Sequence, residues 1–182
     1  MSDSERIALG RRTLYQHGWQ GARPALYLHG PSQQLFAYHG DGALWGRWRI
    51  STARHGFGNQ DGSGCTPTGC HQLGDFIGDG EPIGMRFIGR EPTGEVALTP
   101  LDPTADYITT RIIRLKGTET GINEGAGVDS FARYIYIHGT PHEAQLGQPV
   151  SHGCIRMKSA HLMTLFAGFA PGDQLYIDAG VA

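Results

Sequence analysis

Glycine and proline cut this chain into pieces too short for long helices. Of its 182 residues, 28 are Gly and 10 are Pro, and glycine is about twice as frequent as in ordinary domains. Between the breaks lie short runs of apolar and β-branched residues. Residues 25–29, 34–39 and 43–51 read as three strands. The turn Gly30-Pro31-Ser32 and the hairpin signal Asp41-Gly42 join them into a meander. Further strands are expected at 70–77, 83–89, 107–115 and 174–177, the run at 107–115 being β-branched almost throughout. Residues 55–69 and 117–129 read as loops. Residues 91–106, with Pro92, Gly94, Pro100 and Pro103, read as an irregular connection that could lie over a site. One window breaks the β pattern: Ala160, Leu162, Met163, Leu165 and Phe166 fall at helical spacing within 158–169. The expected architecture is mainly β, a sandwich with one short helix and few other helical segments. It forms a single domain over 24–182, preceded by an arm at 1–23 with weak helical spacing and no strong cap.

Charge and targeting signals narrow the class. The net charge is −2, too little positive charge for a nucleic-acid footprint. Residues 1–12 carry no apolar core of the signal-peptide kind. No stretch reaches the ~20 apolar residues of a membrane span. The expectation is a cytoplasmic protein without nucleic-acid or membrane partners, or a periplasmic one if the native chain begins earlier. Of the 15 basic residues, only Lys116 and Lys158 are lysines. Arginine suits bidentate recognition of carboxylates, although a compositional bias would give the same count.

The chemistry concentrates in 133–157, RYIYIHGTPHEAQLGQPVSHGCIRM. A run of alternating large side chains ends in His138-Gly139, and a polar loop then closes on Ser151-His152-Gly153-Cys154. A cysteine thiolate is a strong nucleophile, but the free thiol is mostly protonated at neutral pH and needs activation. Two histidines compete for the role of base. His138 sits at an expected strand end, where a rigid element positions it. His152 stands two residues from Cys154 and would share its face in an extended segment. His138 is the favoured base, with His152 the competitor. No carboxylate has an obvious spacing to orient it, which leaves a backbone carbonyl at or near Gly139. The helix expected just after Cys154 would lower the thiol pKa and offer N–H groups to an oxyanion. Gly153 would leave the approach to the sulfur open. Arg156 could clamp a substrate carboxylate. Against this stands the bland reading, since a cysteine near one histidine is commonly just a buried apolar thiol.

The order Ile137-His138-Gly139-Thr140, a loop, then Ser151-His152-Gly153-Cys154-Ile155-Arg156-Met157 closely resembles the active-site signature of the YkuD-type L,D-transpeptidases. Upstream, Ser51-Thr52-Ala53 and Thr66-Pro67-Thr68-Gly69 resemble two further family motifs, with Ala53 where a glycine is usual. The resemblance covers about 24–178. It implies a β-sandwich and a cysteine acyl-enzyme acting on peptidoglycan stem tetrapeptides at the bond between the L-centre of residue three and D-Ala. It implies Cys154 as nucleophile, His138 as base, and His152 as a residue that shapes the site. Gly139, Gly153 and Ser151 would orient the base and complete the oxyanion pocket. Arg156, with Thr140 beside the His-Gly pair, would contact substrate. Carbapenems would acylate the cysteine. With no leader visible, the expected reaction is hydrolysis, an L,D-carboxypeptidase that trims murein fragments in recycling. The alternatives are transpeptidation to an amine and a non-catalytic peptide-binding domain.

Neither a cofactor nor a metal is expected. Cys65 and Cys70, spaced C-x4-C beside His71, lack the paired short spacings of a zinc site and read as free thiols of a reducing compartment. Asp61 and Asp75 could approach the site. Trp45 and Trp48 read as packing residues. His17, His29, His39, His55, His142 and His161 read as surface or turn residues.

Overall fold

The computed structural model describes residues 1–100, 102 and 104–180. Its strands are β1 (Ala25–His29), β2 (Gln34–Tyr38), β3 (Leu44–Ser51), β4 (Gly69–Ile77), β5 (Met85–Ile88), β6 (Glu91–Val96), β7 (Ile108–Gly117), β8 (Tyr136–Gly139), β9 (Ile155–Met157) and β10 (Gln174–Asp178). Two α-helices, α1 (Asp3–Gln16) and α2 (Ser159–Gly168), and two single-turn 3-10 helices (Gly30–Ser32 and Glu143–Gln145) accompany them among the described residues. The mainly β fold expected from the sequence is the one observed.

The strands form one sheet in the order β4-β10-β1-β2-β3-β9-β8-β7-β5-β6, and an extra β4–β7 pairing closes it on itself. The β5–β6 hairpin hangs from β7 outside this ring. Strand periodicity assigns the two faces. Along β1, Leu26 and Leu28 join the main core with Leu35, Ile50, Ile113, Leu115, Ile137, Ile155 and Met157, into which α2 inserts Leu162 and Leu165. The alternate residues Ala25 and Tyr27 turn to the other face and pack with Phe36 and Tyr38 against Leu14 of α1. Among the described residues, no helix is long and apolar enough to cross a membrane.

Three local expectations are corrected. The arm at 1–23 is not loosely ordered: 3–16 is a helix started by a capping box, in which Ser2 accepts the Glu5 N–H and the Glu5 carboxylate accepts the Ser2 N–H. The S-x-x-E signature was present in the sequence. The stretch after Gly89 is not wholly irregular, because 91–96 forms β6. Proline is tolerated there because β6 is the exposed edge of the sheet, where a missing N–H breaks no inner ladder. Pro103, one of the turn-formers of that stretch, lies outside the described residues. Finally, no helix starts at Cys154. Strand β9 intervenes, paired in parallel with β8 and antiparallel with β3.

Candidate active site

The parallel β8–β9 pair builds the site. Its register sets Ile137 against Ile155 and His138 against Arg156. Ile137 and Ile155 point into the main core, so the period of two turns His138 and Arg156 to the opposite face. Tyr136 lies on that face too, in a smaller apolar cluster with Met85, Phe87 and Ile112, and Cys154 packs against it. The result is a cleft of about 330 Å3 lined by Asp106, Ile108, Arg133, Tyr134, Ile135, His138, His152, Gly153 and Cys154. A larger hollow of about 620 Å3, beside Arg47, Trp48 and Lys158, has no cysteine in its lining.

The three motifs read from the sequence converge behind the cysteine. The Thr66 hydroxyl donates to the Gly153 carbonyl (2.9 Å) and accepts the Ala53 N–H (2.9 Å). Ser151 N–H donates to the Thr52 carbonyl (2.9 Å), and its hydroxyl donates to the Cys154 carbonyl (2.5 Å) while accepting the Gly153 N–H (3.3 Å). These bonds fix the turn that presents the thiol. Gly153 has φ +139°, while a Cβ there would meet Ile135 only at 3.6 Å. Glycine suits this backbone conformation.

The thiol of Cys154 lies between two backbone groups. It donates to the Tyr134 carbonyl (3.4 Å) and accepts the Tyr136 N–H (3.3 Å). Burial pushes its pKa up to about 12, against the lowering effects of the Tyr136 N–H, Arg156 and Arg133. The help expected from a helix N-terminus is absent, because α2 starts beyond β9 and its Ser159 N–H is taken by Glu143 (3.2 Å).

His138 is 1% exposed, and its Nδ1 is 2.7 Å from the Gly139 carbonyl. Nδ1 therefore carries the proton, and Nε2 is left as the basic nitrogen. Burial lowers the His138 pKa below the ordinary histidine value, keeping the ring neutral; Asp106 opposes this only in part. His138 and Cys154 share the cleft without a direct hydrogen bond, as free enzymes often do before substrate tightens the site.

His152 has a different environment. Its side chain is 52% exposed, its Nδ1 lies 2.9 Å from Asp106, and its Nε2 contacts Arg54. Asp106 also pairs with Arg156 at 2.9 Å. Burial would raise the Asp106 pKa, but His138, His152 and Arg156 together outweigh it and hold the carboxyl below its usual range.

Asp106 is the residue that sequence reasoning missed. It ends the connection that hid it and directly precedes the strongest strand signal, a position at a strand mouth that could have marked it. Asp61 and Asp75 do not line the cleft; Asp75 pairs with Arg114 at 3.4 Å. Arg156, expected to clamp substrate, is buried and spends its guanidinium on Asp106 and on Gln145 (3.4 Å). Thr140 is buried and absent from the cleft lining. Its hydroxyl accepts the His142 N–H (3.1 Å), and His142 Nε2 bonds the Ala105 carbonyl (2.9 Å), so the turn after β8 fixes the segment carrying Asp106. His142 and His29 are buried rather than superficial. Arg133 was also missed; it ties 58–65 to the cleft through the Gly58, Asn59 and Cys65 carbonyls (3.2, 3.1 and 2.7 Å).

A family model described as YkuD, the L,D-transpeptidase catalytic domain, matches residues 23–177. The chain belongs to this family. The YkuD fold is also what the solved structures share with it. An L,D-transpeptidase from Mycobacterium smegmatis is 18% identical, with a TM-score of 0.55 over 86% of this chain and 58% of that one. L,D-transpeptidase 3 from Mycobacterium tuberculosis, in complex with a faropenem-derived adduct, is 16% identical, with a TM-score of 0.53 over 85% of this chain and 60% of that one. An L,D-transpeptidase from Xylanimonas cellulosilytica is 14% identical, with a TM-score of 0.53 over 86% and 60%. The chain thus spans less than two thirds of the length of these YkuD structures. No curated protein matches it by sequence.

Proposed function

We propose that this YkuD domain is a cysteine acyl-enzyme that cleaves peptidoglycan stem tetrapeptides between the L-centre of residue three and D-Ala, with water as acyl acceptor. The observation that carries the reading is one cleft holding a thiol, Cys154, and a buried neutral imidazole, His138, whose free Nε2 can take a proton. Sγ attacks the carbonyl as Nε2 takes its proton. A thiol with a raised pKa suits transfer in concert with attack rather than a standing ion pair. The backbone N–H of Tyr136, already aimed at Sγ, and that of Cys154 are the proposed donors to the oxyanion. The protonated His138 then gives its proton to the departing D-Ala amine. Water then attacks the thioester carbonyl as His138 takes its proton, the C–S bond breaks, and His138 returns the proton to Sγ.

Charge favours water over an amine. Among the described residues, Asp106 is the only carboxylate in the cleft lining, and Arg156 and His152 engage it. Arg54 and Arg133 stand nearby, and Arg90 lies over the Tyr134 ring at 5.0 Å. A cationic rim of this kind attracts the carboxylates of a stem peptide and repels an incoming ammonium group. Amine transfer is the second reading, supported by the L,D-transpeptidases that share the fold. Three free cysteines fit a reducing compartment, and we place the reaction in the cytoplasm, on released wall fragments; fractionation of the native protein tests this.

Incubation with a disaccharide-tetrapeptide, read by mass spectrometry, separates the readings. Loss of one alanine residue supports hydrolysis. Exchange for an added D-amino acid shows amine transfer. No change, together with no carbapenem adduct on Cys154, would leave a binding domain and overturn the enzyme reading.

A further inference from the structure

A second cluster of ligating side chains lies outside the cleft. We propose that His17, Cys70 and Glu119 bind one zinc ion that fastens α1 to the closed sheet. One donor atom from each lies within 4.8 Å of the others. They come from three segments far apart in sequence: the end of α1, the start of β4 and the turn after β7.

The surroundings hold the ligands in place. The Glu119 carboxylate accepts the Cys70 N–H at 2.6 Å through Oε2, which leaves Oε1 for a metal. The side-chain Oδ1 of buried Asn123 accepts the Glu119 N–H (2.9 Å), and its Nδ2 donates to the Thr68 and Cys70 carbonyls (2.9 Å each). Gly69 leaves room for this carboxylate, because a Cβ there would lie 2.1 Å from Glu119 Oε2. The His17 ring packs on Tyr176 at 4.3 Å, and the His17 carbonyl accepts the Gln174 amide (3.0 Å). The thiol of Cys70 faces that same carbonyl at 4.0 Å. Outer contacts of this kind orient ligands in metal sites.

The donor set selects the metal. Thiolate, imidazole and carboxylate together suit Zn2+ far better than Mg2+ or Ca2+, which take oxygen ligands. Three protein ligands and one water complete a tetrahedron, and exposed His17 leaves room for that water. Binding displaces the Cys70 proton to solvent and forms a Zn–S bond. The structural purpose follows from the attachment of α1. Its start is held by the Asp3–Arg47 ion pair and its middle by the Tyr38 hydroxyl on the Ile7 carbonyl (2.8 Å). Its last turn carries no basic residue, and its end is held by the His17–Tyr176 packing and by the Gln174 amide on the His17 carbonyl. The zinc would hold that end. Cys65 and His71 take no part: Cys65 donates to the His55 carbonyl (3.3 Å), and both ring nitrogens of His71 are engaged, by Gly69 and Ser130.

The test uses the full chain, stripped of metal and titrated with zinc and then with cobalt. The expected result is one zinc per chain, a thiolate-to-cobalt charge-transfer band, and protection of Cys70 from alkylation. Zinc should also raise the melting temperature. Cys70→Ser should abolish the band. His17→Ala, a change at an exposed side chain, and Glu119→Gln should each weaken zinc binding by at least about tenfold, since even outer-shell partners of a metal matter 10–100-fold. Equal zinc binding by the wild type, His17→Ala and Cys70→Ser would overturn the proposal, as would a cobalt complex with no charge-transfer band.

Discussion

The two histidines of the signature line one cleft and live under opposite conditions. His138 is part of a strand, buried, neutral and bonded to its own backbone neighbour. His152 is on a loop, half exposed, and held between Asp106 and Arg54. The difference supports the roles proposed for them. A base needs one free basic nitrogen in a dry, rigid place. His138 has that nitrogen, whereas both nitrogens of His152 are engaged. His152 instead closes a charge network that walls the cleft.

The largest effect that tests this contrast comes from the nucleophile both histidines face. Cys154→Ala should abolish turnover and carbapenem acylation, with no mass adduct on the intact protein. His138→Ala should lower the acylation rate by about 10²–10⁴, the usual worth of a general base. Asp106→Asn should instead act on stability. It leaves Arg156 buried without its counter-charge, at a cost of about 3 kcal/mol in urea unfolding, the low end for a broken buried pair because Asp106 is partly exposed. His152→Ala removes one half-exposed pair and should cost about 1 kcal/mol or less, at most about fivefold in rate. A larger loss in His152→Ala than in His138→Ala would reverse the assignment.

The pH dependence sharpens the same contrast. The buried His138 has its pKa lowered in the folded state. The unfolded chain takes up a proton near pH 6.5 that the folded site refuses. The stability contribution is therefore whole above that pH and falls away as the pH drops below it. The acid limb of the acylation rate should likewise lie below the ordinary histidine value, and should disappear from the residual rate of His138→Ala. Thiolate absorbance should stay absent at neutral pH and emerge only towards the raised value of about 12 for Cys154. A thiolate titrating near neutrality would show that the thiol is activated before substrate arrives.

The strands of the meander, the strand at 107–115 and the helix over 158–169 were legible because each is a local pattern bounded by turn residues. His138, Gly139, Ser151, Gly153 and Cys154 were legible as a group because fixed spacing along one chain segment carries them. Asp106 was not. It lies 32 residues before His138 and 46 before His152 along the chain, and no periodicity links residues that meet only when β7, β8 and the loop before Cys154 pack. Arg156 was read as a free clamp for the same reason: its partner was invisible.

The sequence by itself determined the strand and turn pattern, the capping box of α1 and the grouping of Cys154 with two candidate bases, because each rests on spacing along one stretch of chain. Only the tertiary structure decided that the sheet closes through β4 and β7, that β9 separates Cys154 from the helix, and which histidine is buried. Those outcomes depend on how distant segments exclude water from one another. Desolvation, which sets the protonation of both Cys154 and His138, is a property of the packed molecule and of no single stretch of it.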